Sequence, residues 1–404
     1  MLSQQTKDIV KATIPALEMK GIEITTIFYK HLFEDYPQLL NIFNQTNQTR
    51  GRQQTALANT VLAAAKHIDN LGAIIPVVKQ IAQKHRSLTV KPEHYPIVGK
   101  YLLAAIKEVL GDAATEEILQ AWGEAYGVIA QVFIDIEKEM YEEATNQEGG
   151  WLDFKDFIIA DKVKESSVIT SFYLKAADGK VLPDFQPGQY ITVRIKIPGE
   201  EYLVNRQYSL SAAPGQDSYR ISVKREAIPN TPEGKASNFL HDHKNVGDLI
   251  ELTAPAGDFT LNLEQNTPVV FLGGGVGITP LMSMVQAIAD KQPERNVTFV
   301  QASQNGTAQA FKDELTAIKD AIIDYRLSFA YSNPSDDDRN EAYFEKEGYV
   351  DTEMLNRLEV NEKADYYICG PVPFIQAMLG LLKDRGIAQE QIHFEFFGPA
   401  IQLG

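Results

Sequence analysis

The chain is poor in cysteine and in long apolar runs, and it has fewer basic than acidic side chains. One cysteine in 404 residues excludes an intramolecular disulfide and a cysteine-ligated metal cluster, which fits a reducing cytosol. No apolar run approaches the roughly 18 residues of a membrane span, and the N-terminus lacks the apolar core of a signal peptide. The formal net charge of -16 disfavours nucleic acid and anionic membranes as partners. These absences predict a soluble, cytoplasmic protein.

The length and the changing texture of the chain predict more than one domain. At 404 residues it is long for a single hydrophobic core, and its 44% hydrophobic and 23% charged residues are ordinary for globular proteins. The polar, glycine-ended run 146–150 separates a helical pattern from a strand-rich one. We expect three domains, at residues 1–146, 151–263 and 264–404.

Helical spacing dominates the first 145 residues. Apolar residues recur at intervals of three and four, as in Ile9, Val10, Ile14 and Leu17, and prolines stand near the expected helix starts. The pattern predicts an all-α domain of seven or eight helices.

Short β-branched runs replace this pattern from Phe154 onward. Up to residue 263 they are separated by proline and glycine turns, which is typical of an antiparallel β-barrel. From Pro268 strands alternate with helical patterns such as 281–288, which predicts a parallel α/β domain. The predicted strands are 168–174, 190–195, 219–224, 248–253, 269–272, 297–300, 364–368 and 392–396. We interpret 333–341 as a solvated loop and 227–233 as a surface-loop insertion.

His85 is the histidine set most clearly on an apolar helical row. Val77 and Ile81 precede it at four-residue steps, so its side chain is expected on the buried face of its helix. A core histidine satisfied by hydrogen bonds and a metal ligand both fit this setting. A single axial histidine leaves the opposite side of a haem iron open for a gas.

Three other polar residues interrupt apolar rows in the same domain. Tyr29 belongs to the row 22, 26, 29 and 33, Gln53 starts the row 53, 57 and 61, and Glu137 follows Ile129 and Phe133. A buried carboxylate is unfavourable unless it has a hydrogen-bond partner. With His85 these residues favour a ligand pocket, and a solvent-side position is the alternative for Gln53.

The helical domain resembles the globins, and in particular the haem domain of bacterial and yeast flavohaemoglobins. The likeness rests on Gln83-Lys84-His85 and on the segment 121–127, Ala-Trp-Gly-Glu-Ala-Tyr-Gly. The resemblance implies haem b with its iron ligated by His85. It also implies Phe43 as the haem-packing phenylalanine and Lys84 as a haem-side residue, which we expect to be exposed.

The same resemblance assigns the two sides of the haem. Tyr29, Gln53 and Leu57 match the distal pocket, where a phenol can donate a hydrogen bond to a bound gas. Tyr95 and Glu137 match a proximal pair that hydrogen-bonds the ligand histidine, and a carboxylate there makes the imidazole a stronger electron donor. The alternative for Tyr95 is simple packing at a helix end.

The run Arg206-Gln207-Tyr208-Ser209 lies between two predicted strands and suits a flavin. The planar fork of arginine binds pyrophosphate oxygens, the tyrosine ring offers a stacking face, and the serine hydroxyl can reach the reactive ring nitrogen. The run 187–190 precedes it, and 235–240 offers a helix N-terminus for a phosphate. In this order the segments resemble ferredoxin-reductase-type flavin domains. The resemblance implies FAD bound by Tyr190, Arg206, Gln207, Tyr208, Ser209, Lys224 and Ser237.

A glycine-rich turn, 273–280, follows the first strand of the α/β pattern. It lacks the third glycine of Gly-x-Gly-x-x-Gly but matches the reductase variant Gly-x-Gly-x-Thr-Pro, whose backbone approaches nucleotide phosphates. The resemblance implies NAD(P)H bound by Gly274, Gly275, Val276, Gly277, Ile278, Thr279, Pro280, Cys369, Gly370 and Pro371. A small buried apolar residue is the alternative for Cys369. No arginine follows the strand 297–300 to bind a ribose 2′-phosphate, so NADH is favoured over NADPH.

The segment Glu395-Phe396-Phe397-Gly398-Pro399 follows the last predicted strand. In flavohaemoglobins the corresponding segment covers the flavin and faces the haem. Phe396 stands where the family usually has a cysteine, so a role for sulfur is not expected there.

Over residues 1–400 the resemblance implies a flavohaemoglobin that acts as a nitric oxide dioxygenase, with oxygen and nitric oxide as substrates. A monomer is expected, and a lipid in the distal pocket is a ligand that the family allows. The residues by themselves indicate only a reducible haem beside a gas pocket. One alternative is an NAD(P)H-dependent flavin or ferric reductase with an external acceptor. Another is a haem-based gas sensor, which should carry an output module for which the three expected domains leave no segment.

Overall fold

The computed structural model describes residues 2–43, 48, 51–226 and 234–398. Within these ranges the chain forms a helical segment, then a six-stranded antiparallel sheet, then a six-stranded parallel sheet. The expected fold class, all-α followed by antiparallel β and parallel α/β, is confirmed. The boundaries expected for the three domains remain a prediction.

Amphipathic helices build the first segment. The hydroxyls of Ser3 and Thr115 cap the first and last of them by accepting hydrogen bonds from backbone N–H groups three residues on. The α-helices of the described residues are α1 (Gln4–Ala12), α2 (Ile14–Asp35), α3 (Arg52–Lys66), α4 (Ile75–Ser87), α5 (His94–Leu110) and α6 (Glu116–Asn146). Short 3-10 helices are Pro37–Asn41, Leu71–Ile74 and Gly111–Ala113.

The antiparallel sheet has the order β4-β3-β6-β1-β2-β5. An isolated bridge between Leu210 and Ile221 joins the chain beyond β4 to β5, so the two ends of this order approach each other. The strands are β1 (Lys155–Lys164), β2 (Ile169–Ala176), β3 (Tyr190–Ile195), β4 (Val204–Ser209), β5 (Tyr219–Lys224) and β6 (Leu249–Leu252), and helix α7 is Lys235–His243.

The parallel sheet has the order β10-β9-β8-β7-β11-β12. Its chain runs outward from β7 to β10 and then returns to the other side of β7, which creates a switch point between β7 and β11. In open α/β sheets, ligands bind at the carboxyl ends of the strands at such a point. The strands are β7 (Val269–Gly274), β8 (Val297–Ser303), β9 (Tyr325–Tyr331), β10 (Phe344–Glu347), β11 (Asp365–Cys369) and β12 (Ile392–Glu395). The helices are α8 (Ile278–Lys291), α9 (Lys312–Ile318), α10 (Asp336–Arg339), α11 (Thr352–Arg357) and α12 (Val372–Asp384), with 3-10 turns at Gly275–Gly277 and Gln389–Gln391.

Two sequence expectations need correction here. Strand β8 continues to Ser303, beyond the expected end at residue 300, because its last residues still pair with β9. The expected solvated loop 333–341 contains the helical turn α10, whose capping residues Ser335 and Asp338 bond each other, and Asp338 is buried. The expected insertion 227–233 lies outside the described residues.

Apolar packing gives each segment its own core and also joins the two sheets. Phe28, Leu32 and Trp122 belong to the core of the helical segment. Phe259 and Leu261, which follow the antiparallel sheet, are buried in the core of the parallel one. Among the described residues, no helix combines the length and apolarity needed to cross a membrane.

Candidate active site

His85 lies in the last turn of helix α4 and is held by a buried carboxylate. Its Nδ1 is 2.7 Å from Oε1 of Glu137 and 3.1 Å from the Tyr95 hydroxyl. The Tyr95 hydroxyl in turn donates to the same carboxylate oxygen at 2.5 Å. The carboxylate therefore keeps a proton on Nδ1 and leaves Nε2 as the atom with a free lone pair, which is the form in which histidine ligates a metal.

Burial makes this trio a strong hydrogen-bonded unit. Glu137 is only 2% exposed, so its charge depends on these two donors. Burial, reinforced by the charge of Glu137, raises the pKa of Tyr95 well above its usual range, which keeps the phenol a donor. The sequence expectation that Tyr95 and Glu137 flank His85 agrees with this geometry.

The buried face of helix α4 is not the row expected from the sequence. Val77 is 48% exposed, and the buried row is Val78, Ala82 and Arg86. A row of four-residue steps turns about 40° round a helix at each step, so a row ending near the core need not begin there. His85 lies beside the buried row with 32% of its side chain exposed. Ile22, at the start of the Tyr29 row, is also exposed, to 56%.

The residues expected on the distal side of the haem are aromatic rings and one amide. Tyr29 is 8% exposed and packs against the rings of Phe28, Phe33 and Phe43, with centroids 4.8 to 5.8 Å away. Burial raises the pKa of Tyr29 above its usual range, so its hydroxyl is a donor at neutral pH. Oε1 of Gln53 is buried, and among the described residues it has no hydrogen-bond partner. This buried oxygen argues against the solvent-side alternative for Gln53.

These residues fit a haem. Leu57, Phe43 and Phe33 supply apolar surface in the same core as Tyr29, and Nε2 of His85 makes no hydrogen bond to a described residue. A nitrogen ligand on one side, and a phenol with an unpartnered amide on the other, match a group ligated from one face only.

The expected flavin residues lie on the paired strands β3 and β4. Tyr190 is in register with Ser209, which places the ends of both strands together. The Tyr190 hydroxyl is buried without a hydrogen-bond partner among the described residues. Burial raises the pKa of Tyr208 and lowers that of Arg206. An unpartnered buried hydroxyl on β3 and a half-buried guanidinium on β4 suit a ligand with both polar ring atoms and phosphate.

Two further expected flavin residues flank the undescribed segment 227–233. Lys224 is the last residue of β5, and its Nζ lies 3.8 Å from Oε1 of Glu226. Ser237 is in the first turn of α7, where its hydroxyl donates to Gly234 O and accepts from the N–H of Glu226. The expected helix N-terminus is present at this place.

The glycine-rich turn stands at the switch point of the parallel sheet. Gly275 has a φ of 54°, and a Cβ on Gly277 would lie 2.2 Å from the carbonyl oxygen of Cys369. The turn and the end of β11 therefore touch through bare backbone, and Gly370 and Pro371 continue from there into α12. Thr279 bonds Val276 O, and both Ile278 and Pro280 are buried at the start of α8.

Gln301, which the sequence reasoning missed, braces this turn. It is fully buried on β8, and its Nε2 donates to Gly275 O at 3.1 Å. A buried amide at the end of a parallel strand was the available signal. Burial raises the pKa of the Cys369 thiol well above its usual value, which fits the small-apolar alternative as well as a place beside a nucleotide.

The C-terminal segment, residues 395–398, contacts the helical segment. Lys84, expected to be exposed, is half-buried and donates through Nζ to Gly398 O at 2.9 Å. Burial raises the pKa of Glu395 to about 7 against the opposing effect of Lys84, and its Oε2 has no partner among the described residues. Phe396 lies under the guanidinium of Arg52, 5.9 Å from its carbon to the ring centroid. Phe397 is 44% exposed, and Pro399 lies outside the described residues.

The turn that carries His85 also bonds the antiparallel sheet, which sequence reasoning missed. Gln83 Oε1 accepts from the N–H of Gly257 at 3.2 Å, and Arg86 donates to Pro255 O. Ser87, fully buried, accepts from Nε2 of Gln207 at 2.7 Å. The candidate flavin residue Gln207 thus bonds a residue only two positions after the candidate haem ligand.

Family models match all three parts of the chain. A globin model matches residues 26–133, an oxidoreductase FAD-binding domain model matches 156–261, and an oxidoreductase NAD-binding domain model matches 271–379.

Curated relatives are similar over the whole length. The flavohemoprotein of Bacillus thuringiensis subsp. konkukian is 56% identical, with 100% of both chains covered. The flavohemoprotein of Bacillus subtilis is 52% identical, with 100% of this chain and 99% of that one covered.

One solved structure is similar to the whole chain, and another is similar to part of it. A flavohemoglobin from Malassezia yamatoensis with bound FAD and heme has a TM-score of 0.86 and 26% identity, covering 98% of this chain and 100% of that one. The FAD/NAD-binding domain of a nitric oxide dioxygenase from Vibrio cholerae has a TM-score of 0.55 and 35% identity, covering 61% of this chain and 99% of that one.

Proposed function

The chain belongs to the flavohaemoprotein family, a globin joined to an NAD(P)H-dependent FAD reductase, and from this premise we propose that it is a nitric oxide dioxygenase. In this reaction nitric oxide and oxygen combine to nitrate with electrons taken from NAD(P)H. The name of the Vibrio cholerae relative supports the proposal.

The observation that carries the proposal is the bond between His85 and the buried carboxylate of Glu137. An imidazole whose N–H is shared with a carboxylate has imidazolate character and donates electron density to its metal. That property favours activation of oxygen over reversible storage. The reductase on the same chain then has an electron acceptor suited to oxygen chemistry.

Flavin and haem, when bound, convert a two-electron hydride donor into a supply of single electrons. Each nitric oxide molecule that combines with oxygen to form nitrate takes up one electron, so one NAD(P)H supports two turnovers. On the distal side, we assign Tyr29 as the hydrogen-bond donor toward the gas and Gln53 as a second polar group beside it. Leu57 and Phe43 keep water from this side.

On the reductase side, the chain's residues bind and orient. We assign Arg206 and Ser237 to the flavin phosphates, Tyr208 to the ring face, and the backbone of the Gly275–Gly277 turn to the nucleotide phosphates. Because Cys369 O and the turn are in contact, the nicotinamide would lie at the switch point of the parallel sheet.

His85→Ala tests the proposal. Nitric oxide consumption, followed with an electrode, should fall to background, while anaerobic flavin bleaching by NADH proceeds at the parent rate. His67→Ala, at the exposed end of helix α3, is the matched control and should keep both activities. If His85→Ala still consumes nitric oxide at the parent rate, the activity belongs to a reductase with an external acceptor.

Four further expectations complete the proposal. We propose NADH as the preferred donor, because no arginine follows β8 in Gln304-Asn305-Gly306. A ratio of kcat/KM for NADPH over NADH above one would contradict this. We also propose a cytoplasmic monomer whose distal pocket admits a lipid.

A further inference from the structure

Hydride transfer depends on how the two sheets of the reductase are placed relative to each other. The candidate flavin residues lie on β3 to β5, whereas the nicotinamide site is formed by the Gly275–Gly277 turn and the end of β11. Reacting atoms must approach to about 3–3.5 Å, and a displacement of about 1 Å can cost about 100-fold in rate. Some contact between the sheets must therefore fix their distance.

The apolar part of that contact gives attraction without direction. Phe259 and Leu261 are buried in the core of the parallel sheet, and burial of apolar surface is non-directional. One backbone bond, from the N–H of Ser167 to Thr307 O at 2.8 Å, lies at the edge of the contact.

Arg220 on β5 is the directional element. Its side chain is 4% exposed, and Nη1 donates to Oε1 of Glu314 on α9 at 2.7 Å. Nη2 donates to Ser211 O in its own sheet, and the guanidinium carbon lies 4.7 Å from the ring centroid of Phe311. The planar guanidinium thus binds Ser211 O on the antiparallel side and the Glu314 carboxylate on the parallel side, and its rigid shape fixes their relative position.

A second bridge continues from the same carboxylate. Oε2 of Glu314 accepts from Nε2 of Gln286 at 2.7 Å, and Oε1 of Gln286 accepts from the N–H of Ala213 at 2.9 Å. Gln286 lies on α8, the helix that begins directly after the Gly275–Gly277 turn. Strand β5 also lies against that turn. The helix that starts at the nicotinamide site is therefore tied to the antiparallel sheet at two points.

We infer that Arg220, acting through Glu314 and Gln286, is a positioning residue for hydride transfer from NAD(P)H to the flavin. The network sets the distance between the nicotinamide carbon that releases the hydride, with its two electrons, and the flavin nitrogen that accepts it. This inference rests on the NAD(P)H-to-flavin step of the proposed function and not on the nitric oxide step.

If Arg220 only stabilised the fold, its variants would behave differently, and the two roles can be tested separately. Removing one partner of a buried ion pair leaves an uncompensated charge and destabilises the fold, whereas replacing both partners by apolar residues can be neutral. A double variant, Arg220→Met with Glu314→Leu, should therefore recover stability. If the network positions the sheets, the same double variant does not recover the rate.

The test is anaerobic flavin reduction in the holoenzyme, followed by stopped flow with NADH and with NADH deuterated at the transferred position. In Arg220→Met/Glu314→Leu the limiting rate should fall by at least about tenfold, while the half-saturating NADH concentration stays within about threefold. The deuterium isotope effect should be as large as in the parent or larger, since hydride transfer itself has slowed. Reduction of the haem after photoreduction of the flavin should be unchanged.

Arg194→Met is the matched control. Arg194 pairs with Glu251, at 3.0 Å from Nε to Oε2, and stacks 3.9 Å from the ring centroid of Phe154, but both partners belong to the antiparallel segment. The Arg194→Met substitution removes an arginine–carboxylate pair and an aromatic stack but leaves the contact between the sheets unchanged. Its limiting rate should equal that of the parent.

Arg220→Lys and Glu314→Gln keep the test decisive if the double variant does not fold. Lysine keeps the charge but loses the fork, and glutamine keeps the shape but loses the charge, so each should lower the limiting rate by about two- to fivefold. A parent-like limiting rate with only a lower unfolding temperature in these variants would overturn the inference. The same would follow from a parent-like rate in the folded double variant. If the parent protein reduces its flavin normally with NADH but does not consume nitric oxide, the proposed function fails. The inference about Arg220 is judged separately, by the limiting rate of flavin reduction in its variants.

Discussion

The two sides of the proposed haem pocket are built on opposite principles. On the proximal side, Glu137 accepts hydrogen bonds from His85 Nδ1 and from the Tyr95 hydroxyl, so the ring nitrogen across from the candidate ligand atom Nε2 is engaged by the protein. On the distal side, Tyr29 packs against the rings of Phe33 and Phe43, and Gln53 Oε1 has no hydrogen-bond partner among the described residues.

The difference teaches how one pocket can hold a permanent group and a transient one. Proximal hydrogen bonds fix the ligand histidine in one tautomer and orientation before any metal chemistry occurs. Distal polar groups without protein partners form their hydrogen bonds only when a ligand binds, so the full free energy of these bonds contributes to ligand affinity. Proximal substitutions should therefore alter the electronic properties of the site, and distal ones the residence time of the gas.

Tyr29→Phe should produce the largest change and test the distal half of this comparison. A hydrogen bond to a charged acceptor contributes about 1.5–3 kcal/mol, so oxygen dissociation should accelerate by about tenfold or more. Stopped-flow displacement of oxygen measures the rate. Tyr101→Phe removes another phenol of the same domain, one that donates to Asp35, and should leave the rate unchanged. Equal release from parent and Tyr29→Phe would show that the distal phenol does not contact the gas.

Glu137→Gln tests the proximal half. An amide accepts the imidazole N–H less strongly than a carboxylate, so nitric oxide turnover should fall by about tenfold while haem stays bound. The iron–imidazole stretching frequency, measured by resonance Raman spectroscopy, should fall with it. Glu124→Gln is the control, since Glu124 lies on the same helix and its hydrogen-bond partners in the described ranges are Thr6 and Gln120. Haem loss from Glu137→Gln would instead assign the carboxylate a structural role.

Gln53→Leu should have a smaller effect confined to the distal side. The substitution removes an unpartnered buried oxygen, so stability should stay equal or rise by about 1 kcal/mol. Oxygen dissociation should accelerate by about two- to fivefold, and the double variant with Tyr29→Phe should show whether the two groups act together. Additive effects would mean that Gln53 and Tyr29 contact the gas independently.

Candidate site residues could be predicted from the sequence where a polar residue or a glycine-rich turn interrupts a local apolar pattern. Glu137 and Tyr29 stand on apolar helical rows, and the glycine-rich turn follows a strand directly, so each could be identified from residues within a few positions. The assignment of His85 as the haem ligand stays a prediction, but Val77 was a wrong guide to the buried face because a row of four-residue steps drifts round the helix.

Contacts between distant segments could not be predicted in this way. Ser87 and Gln207 are 120 positions apart, and Arg86 and Pro255 are 169 apart. Arg220 stands in an alternating strand, where an outward, solvated side chain is the natural expectation. It is buried because the parallel sheet covers that outer face, which no local pattern records.

Tyr95→Phe should give the smallest effect and shows how far the proximal side tolerates loss of one bond. Glu137 still accepts from His85, so nitric oxide turnover should stay within about threefold of the parent. The clearer signal is in alkaline stability. The folded pKa of Tyr95 is raised, so above about pH 10 the unfolded phenol loses its proton while the folded one keeps it, and the free energy of unfolding falls by up to about 1.4 kcal/mol per pH unit for this group. Between pH 10 and pH 11, urea unfolding followed at the Soret band should therefore lose less stability in Tyr95→Phe than in the parent. The exposed Tyr349→Phe should match the parent slope, and an identical slope in all three proteins would mean that Tyr95 is not a buried donor.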